Sequence, residues 1–466
     1  MQSPSQPAKA IELSTIQAIP TSERHGKSRD LFTVWFGSNI MLLTVVTGAL
    51  AVTIFGLSFI YAVLAIVIGH LVGGIFMALH SAQGPQLGVP QMVQTRGQFG
   101  SYGSLLVVVL VVVMYLGFFA SNAVLGGQSL HGLFPALSIN GGIVLVSAFS
   151  VLATIFGYRL IHGYTRVMSY FSGSILLLTF IWIVFISGLP ENFMHRGGFN
   201  WPGFFGTLSV AALWQLAYAP YVSDYSRYMP EGTGNRTAFW ASYSGCCLGS
   251  IFPMLLGVVV ALCIEGDDIV GGIATMTGGI SFLVLATLSI GVAATNAMNC
   301  YCGALSTITV GQTLFPNWSA GAGSRAIVAL VLFSISLALA LLGKDDFMTN
   351  YTNFILLLLY VLVPWTAINL VDYYLVMHGS YDVPSFFRRD GGVYGYFNWT
   401  AVVCYFIGIV VQIPFMSTDI YMGYVAEQMN GADISWIVGI LVISPLYYWL
   451  ASRRQKALSL QNARSA

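Results

Sequence analysis

Between residues 31 and 452 the chain is a succession of apolar runs, each long enough to span a bilayer. A helix needs about 20 apolar residues to cross the hydrocarbon core. Twelve runs meet that length, near 31–56, 57–80, 101–127, 139–158, 165–189, 203–229, 237–264, 279–312, 325–343, 350–373, 396–415 and 432–452. In lipid every backbone group must be bonded within its own segment, so continuous runs of this kind form helices; a barrel would need short alternating ones. Only 8% of residues are charged, against roughly 25% in soluble proteins. The sequence therefore predicts an all-α polytopic membrane protein of 12 transmembrane helices, with room for an irregular element in 266–285.

An even number of spans puts both termini on one side, and the basic residues test that arrangement. Of 18 Lys and Arg, only Arg196 and Lys344 fall on the opposite side. The other 16 include Lys9, Arg159, Arg166, Arg388, Arg389, Lys456 and Arg464. The opposite loops carry acids instead, among them Glu265, Asp267, Asp345 and Asp433. Both termini are predicted to be cytoplasmic, with the chain in the cytoplasmic membrane and the lipid bilayer as its surroundings. Residues 1–30 form a polar tail without an apolar leader segment, expected to be cytoplasmic and disordered. Net charge is +1, which implies no nucleic-acid partner. The six cysteines sit mostly in apolar runs and are expected to pack rather than pair or bind metal. No phosphate loop, HExxH or nucleophile elbow is present, so the chain is not expected to be an enzyme or to need a cofactor.

Two spans are interrupted. The first reads WFGSNIMLLTVVTGALAVTIFG (35–56), with Gly37-Ser38-Asn39 and then Thr44, Thr47 and Gly48 in its middle. The sixth reads LWQLAYAPYVSDYSRY (213–228), with Pro220 well inside it. Proline removes a donor and crowds the preceding turn, so the carbonyls near Leu216 and Ala217 are expected to lose partners. Spans one and six correspond if the chain is a five-plus-five inverted repeat with two extra helices. Paired broken helices of this kind point to a transporter's central site. The rival reading is that Gly48 and Pro220 merely permit close helix packing.

Polar groups at membrane depth gather around these breaks. Phe118 and Asn122 are four apart and share a helix face, an aromatic plate beside an amide that suits a flat heterocycle. Trp214, Gln215 and Tyr218 precede the proline, and Thr295, Asn296 and Asn299 lie on span eight beside Gly291, Ala293 and Ala294. Hydroxyl and carbonyl oxygens there suit Na⁺, with further oxygens from Asn39 to Thr44. Each amide could equally be glue between helices. Asp224, one turn before Arg227, is expected to brace the cytoplasmic end of span six, and Tyr225 and Tyr228 to lie in the interfacial belt.

Four stretches, DLFTVWFGSNIMLLTVVTGAL (30–50), GVPQMVQTRGQFGSYGS (88–104), ASNAVLGGQ (120–128) and APYVSDYSRYMP (219–230), resemble the purine–cytosine permease branch of the nucleobase–cation symporter family. The resemblance covers about 22–375. It implies the five-plus-five fold, with residues 31–380 as a ten-helix transport core and 381–466 as two accessory helices and a cytoplasmic end. It implies a ligand between spans one, three, six and eight, held by Phe118, Asn122, one of Trp214, Gln215 or Tyr218, and Asn296 or Asn299, with Asn39 from the broken first span. It also implies a sodium site at Gly291 and Thr295, one hydroxyl short because Ala294 replaces a hydroxyl residue, so the coupling ion is Na⁺ or H⁺. The function expected is symport of a purine or cytosine by alternating access. The alternative is a vitamin-like or other nitrogen compound of the allantoin, hydantoin, pyridoxine or thiamine type.

Overall fold

A computed structural model describes the backbone of residues 16–156 and 158–465 and the side chains of 16–152, 154 and 170–455. The side chains of Lys9, Arg159, Arg166, Lys456 and Arg464, and the first half of the polar tail, lie outside the described residues.

The first apolar run forms two helices, α1 (Ser28–Asn39) and α2 (Leu42–Thr53), bent by 60° about Ile40 and Met41. α3 (Phe59–Ser81) crosses next and leads into two short helices, α4 (Gly84–Leu87) and α5 (Gln91–Phe99). Then follow α6 (Leu105–Leu133), α7 (Ile139–Phe156) and α8 (Tyr158–Ile181). The sixth run is again divided, into α9 (Trp201–Leu216) and α10 (Ala219–Ser226). α11 (Asn235–Cys263), the short α12 (Ile269–Thr277) within the irregular 266–285 stretch, α13 (Ser281–Leu314), α14 (Ala322–Gly343) and α15 (Phe347–Val371) come next. α16 (Trp399–Gln412), α17 (Tyr424–Gln428) and α18 (Ser435–Ser465) close the chain.

Eight helices among the described residues are long and apolar enough to cross a membrane, and the bent α1–α2 pair is a ninth as one broken span. Ile139–Leu152 and Trp399–Phe415 are shorter apolar helices. Secondary structure among the described residues is helical, with two isolated bridges and no strand. α6 packs along α13, α3 along α9, and α11 along both halves of the broken first span. Glycine sets the closest of these approaches: a side chain at Gly48 would collide with the Met254 backbone of α11. Gly48 thus serves packing, and the break lies a full two turns before it.

Three polar features differ from the sequence expectation. The tail is not wholly loose: Ile16 and Ile19 are buried, the Ile19 amide donates to the Gly88 carbonyl at 2.9 Å, and Arg24 donates to the Pro85 carbonyl at 2.6 Å. Two apolar side chains within a polar stretch are enough to seat it. Residues 84–99 are buried despite their glutamines, except for exposed Gln86 and half-buried Gly97. Gln91 donates to Gln83, Gln83 to Asn369, Asn369 to Gln98, and Gln98 to the Tyr381 hydroxyl, over 2.8–3.3 Å. Amides buried in series satisfy one another, which is what permits their burial. Finally, buried carboxylates tie α15 and the residue just after it to α18 and the loop before it. Tyr447 donates to Asp372 at 2.7 Å, and Asp433 accepts from Tyr360 at 2.5 Å and from the Ser417 and Ser435 amides at 3.0 and 2.9 Å. Asp433 is therefore an internal anchor rather than a wetted loop acid.

Candidate substrate site

The two breaks face each other in the centre of the bundle. At the first, Ser38 and Asn39 side chains donate back to the Trp35 carbonyl at 3.3 and 2.6 Å. Such back-bonding competes with the helical ladder, and Met41 is extended (φ −147°, ψ 166°). The carbonyls freed by the break are taken up locally. Thr44 donates to the Asn39 carbonyl at 2.6 Å, and Thr295 of α13 donates to that of Ser38 at 2.9 Å. At the second break, Pro220 occupies the first turn of α10, where a missing donor costs nothing. Ala217 and Tyr218, just before it, keep right-handed angles but tighten the turn, the Tyr218 amide donating to the Gln215 carbonyl at 3.1 Å. The Pro220 carbonyl accepts from Tyr115 at 3.1 Å.

Between the breaks lies a small cavity lined by Met41, Phe118, Asn122, Trp214, Ala217, Tyr218, Tyr221, Thr295 and Asn299. Its aromatic rings meet edge to face. Phe118 and Trp214 are 6.3 Å apart at 80°, and Trp214 and Tyr218 are 6.2 Å apart at 72°. Tyr221 follows Tyr218 at 5.6 Å. The cavity volume is about 20 Å³, room for a water-sized body and not for an aromatic ring. A flat ligand enters only when these plates part.

The hydrogen bonds sort the polar residues into two rows. Asn122 is fully buried, and neither its Oδ1 nor its Nδ2 has a hydrogen-bond partner among the described residues. Asn299 donates to Asn296 at 3.3 Å and accepts from the Tyr221 hydroxyl. Asn39, Gln215 and Asn296 do not line the cavity. Asn39 accepts from the Trp214 indole at 2.7 Å and from Ser250 at 2.8 Å, which fixes the Trp214 ring from behind. Gln215 turns away to His70 (2.9 Å) and Ser250 (3.2 Å), and Asn296 donates to the Phe119 carbonyl at 3.0 Å. Tyr221 and Met41 went unassigned in the sequence, although Tyr221 lies three residues beyond Tyr218 in the quoted motif.

Thr295 and Gly291 lie against the first break. Thr295 donates to the Ser38 and Gly291 carbonyls at 2.9 and 3.1 Å, and a side chain at Gly291 would collide with the Ile40 carbonyl. The described residues hold no cluster of three His, Cys, Asp or Glu suited to a metal. The donor set here is instead neutral oxygen, the kind a monovalent cation takes.

The outer tyrosines are placed differently from expectation, while Asp224 makes a helix-end contact. The Asp224 carboxylate accepts from the Gln91 amide at 2.9 Å and so caps α5, while Arg227 donates to the Asp224 carbonyl at 3.3 Å. Tyr225 and Tyr228 are buried rather than interfacial; Tyr225 meets Trp35 edge-on at 5.7 Å. α10 is enclosed by neighbouring helices, and all of Ala219–Ser226 is buried.

A helical membrane protein with a broken first span and a central aromatic cavity has the build of a secondary transporter. Residues 18–439 match the family model described as permease for cytosine/purines, uracil, thiamine, allantoin. YxlA of Bacillus subtilis (strain 168), provisionally named a purine-cytosine permease, is 42% identical over 448 residues, 96% of this chain and 97% of its own. Purine-cytosine permease fcyB of Emericella nidulans is 27% identical, covering 92% of this chain and 86% of its own. Among solved structures, Mhp1, a nucleobase-cation-symport-1 family transporter in a closed conformation with bromovinylhydantoin bound, superposes with a TM-score of 0.76 at 18% identity, over 94% of this chain and 96% of its own. A Na⁺-coupled sialic acid symporter follows at 0.65 and 13% identity, over 92% and 90%. At those identities the likeness is one of fold. The chain belongs to the cytosine/purine permease family.

Proposed function

We propose that this permease carries a purine or cytosine into the cell by alternating access, driven by a cation gradient. The observation that carries the reading is Asn122, a buried amide without an internal partner, set among Phe118, Trp214 and Tyr218. An unsatisfied buried amide costs about 1–3 kcal/mol, a cost that a ligand offering both a donor and an acceptor removes. A nucleobase edge offers that pair, and its ring faces suit aromatic plates. Asn299, held by Tyr221 and Asn296, reads a second edge. The 42% identity to a protein provisionally named a purine-cytosine permease favours nucleobases over the vitamin B6 named for a 27% relative.

The coupling cation sits between Gly291, Thr295 and the first break. With the Thr295 hydroxyl turned away from the Ser38 carbonyl, both oxygens face a dehydrated Na⁺. Because Ala294 supplies no hydroxyl, H⁺ serves as the other candidate. Twelve spans in a five-plus-five repeat, both termini cytoplasmic, complete the reading; the bias of basic residues supports it.

Binding tests this function directly. Purified protein should be stabilised by cytosine, adenine or hypoxanthine and not by pyridoxine, thiamine or allantoin, with a ligand at 100 times its Kd adding about 2.7 kcal/mol. Stabilisation by pyridoxine or thiamine alone would make the vitamin reading correct.

A further inference from the structure

A second pocket lies at the end of the molecule that carries most basic residues, between α5, the last turn of α13 and the 3₁₀ turn Val383–Phe387. It is separate from the aromatic cavity and measures about 220 Å³. Three guanidinium groups border it: Arg96, Arg388 and Arg389. Arg96 is 5% exposed, and burial draws its pKa down to about 10, so it remains a cation at neutral pH. It donates to the Phe386 carbonyl at 2.8 Å, and to the Thr309 carbonyl and Thr313 hydroxyl at 2.9 Å. Its Nε has no partner among the described residues, and no carboxylate among them pairs with it. Arg389 meets only the Asn317 amide oxygen. Arg388 pairs with Asp390 at 2.7 Å on the exposed rim. The three cations thus face Asp390 and, at Arg388, the charge of Asp382, and the deepest of them is buried with neutral acceptors only. A buried charge left without a counter-ion is costly, and guanidinium forks match tetrahedral oxyanions.

We infer that this pocket binds a phosphate-bearing anion at the cytoplasmic face, either the headgroup of an anionic lipid or a soluble phosphate ester. Arg389 and Arg388 grip it at the rim and Arg96 supplies the field at the base. The anion bridges the 383–389 loop to α13, the helix that carries Thr295 and Asn299, so its occupancy steadies one wall of the substrate site. The assignment of this face to the cytoplasm rests on the orientation proposed above; the pocket's chemistry does not.

Thermal unfolding of the full chain tests the inference without any transported substrate. In detergent, millimolar inorganic phosphate should raise the Tm by about 2 °C or more over chloride of matched ionic strength, and the rim variant Arg388→Gln/Arg389→Gln should lose the rise. That result identifies a soluble phosphate as a source. A rise seen only in nanodiscs of phosphatidylglycerol over phosphatidylcholine, and lost in the same variant, identifies the lipid headgroup. No rise in either medium, or an equal rise in the variant, overturns the site. Both rim residues are exposed, so the variant keeps its fold, and failure here leaves the nucleobase result untouched.

Discussion

Asn122 and Asn39 are both buried asparagines beside Trp214, and the fold gives them opposite tasks. Asn122 has no partner among the described residues, while Asn39 binds the Trp214 indole and Ser250. Asn122→Ala should therefore leave the Tm unchanged or slightly higher and cut nucleobase uptake at least about tenfold, the loss of roughly 1.4 kcal/mol of binding. Asn39→Ala strands the Trp214 indole N–H, while Ser250 keeps the Cys246 carbonyl, and should lower stability by about 1–3 kcal/mol. Melting and uptake of the two variants side by side check this; a destabilised Asn122→Ala with normal uptake would make Asn122 interhelical glue. The sequence carried the Phe118–Asn122 pair because four-residue spacing fixes a shared face. It did not separate Asn122 from Asn39, Gln215 or Asn296, because spacing does not say which of several neighbouring helices a polar side chain meets. Tyr221 was obscured in the same way among four tyrosines of one motif.

The broken first span was legible as an element but not in its position. Gly37-Ser38-Asn39 marked it, since short polar side chains bond back to the helix and loosen it. Thr44, Thr47 and Gly48 looked like part of the same break, yet all three lie in regular α2. Gly48 is there for the approach of α11. Gly48→Ala should cost about 1–3 kcal/mol through overpacking against Met254, read as a lower Tm. A normal Tm with impaired transport would instead make Gly48 a hinge. The short helices α4 and α5 had no apolar signature to announce them. Their burial depends on glutamines pairing across α3, α5 and α15, a long-range accounting that no local pattern contains. The seated part of the tail was missed for a related reason: Ile16 and Ile19 acquire meaning only from the surface they cover.

For the whole molecule, the apolar runs settled the helical class and the membrane, because length and the absence of charge leave no other fold. What they could not convey was how the last two long helices join the rest. Asp433, just before α18, and Asp372, against the middle of α18, do this through the hydroxyls of Tyr360 on α15 and Tyr447 on α18. α18 is thus joined to α15, whose Phe354 packs on Phe118 at 5.4 Å. A cavity of about 20 Å³ must open to admit a ring, so binding requires the side chains around it to part. The most direct test of this account is uptake of labelled cytosine and adenine into proteoliposomes under an imposed Na⁺ or proton gradient. The account predicts accumulation above equilibrium with one of those gradients, abolished when that gradient is collapsed and reduced at least about tenfold by Asn122→Ala. Uptake that only equilibrates, or that is indifferent to both gradients and to Asn122, would contradict it.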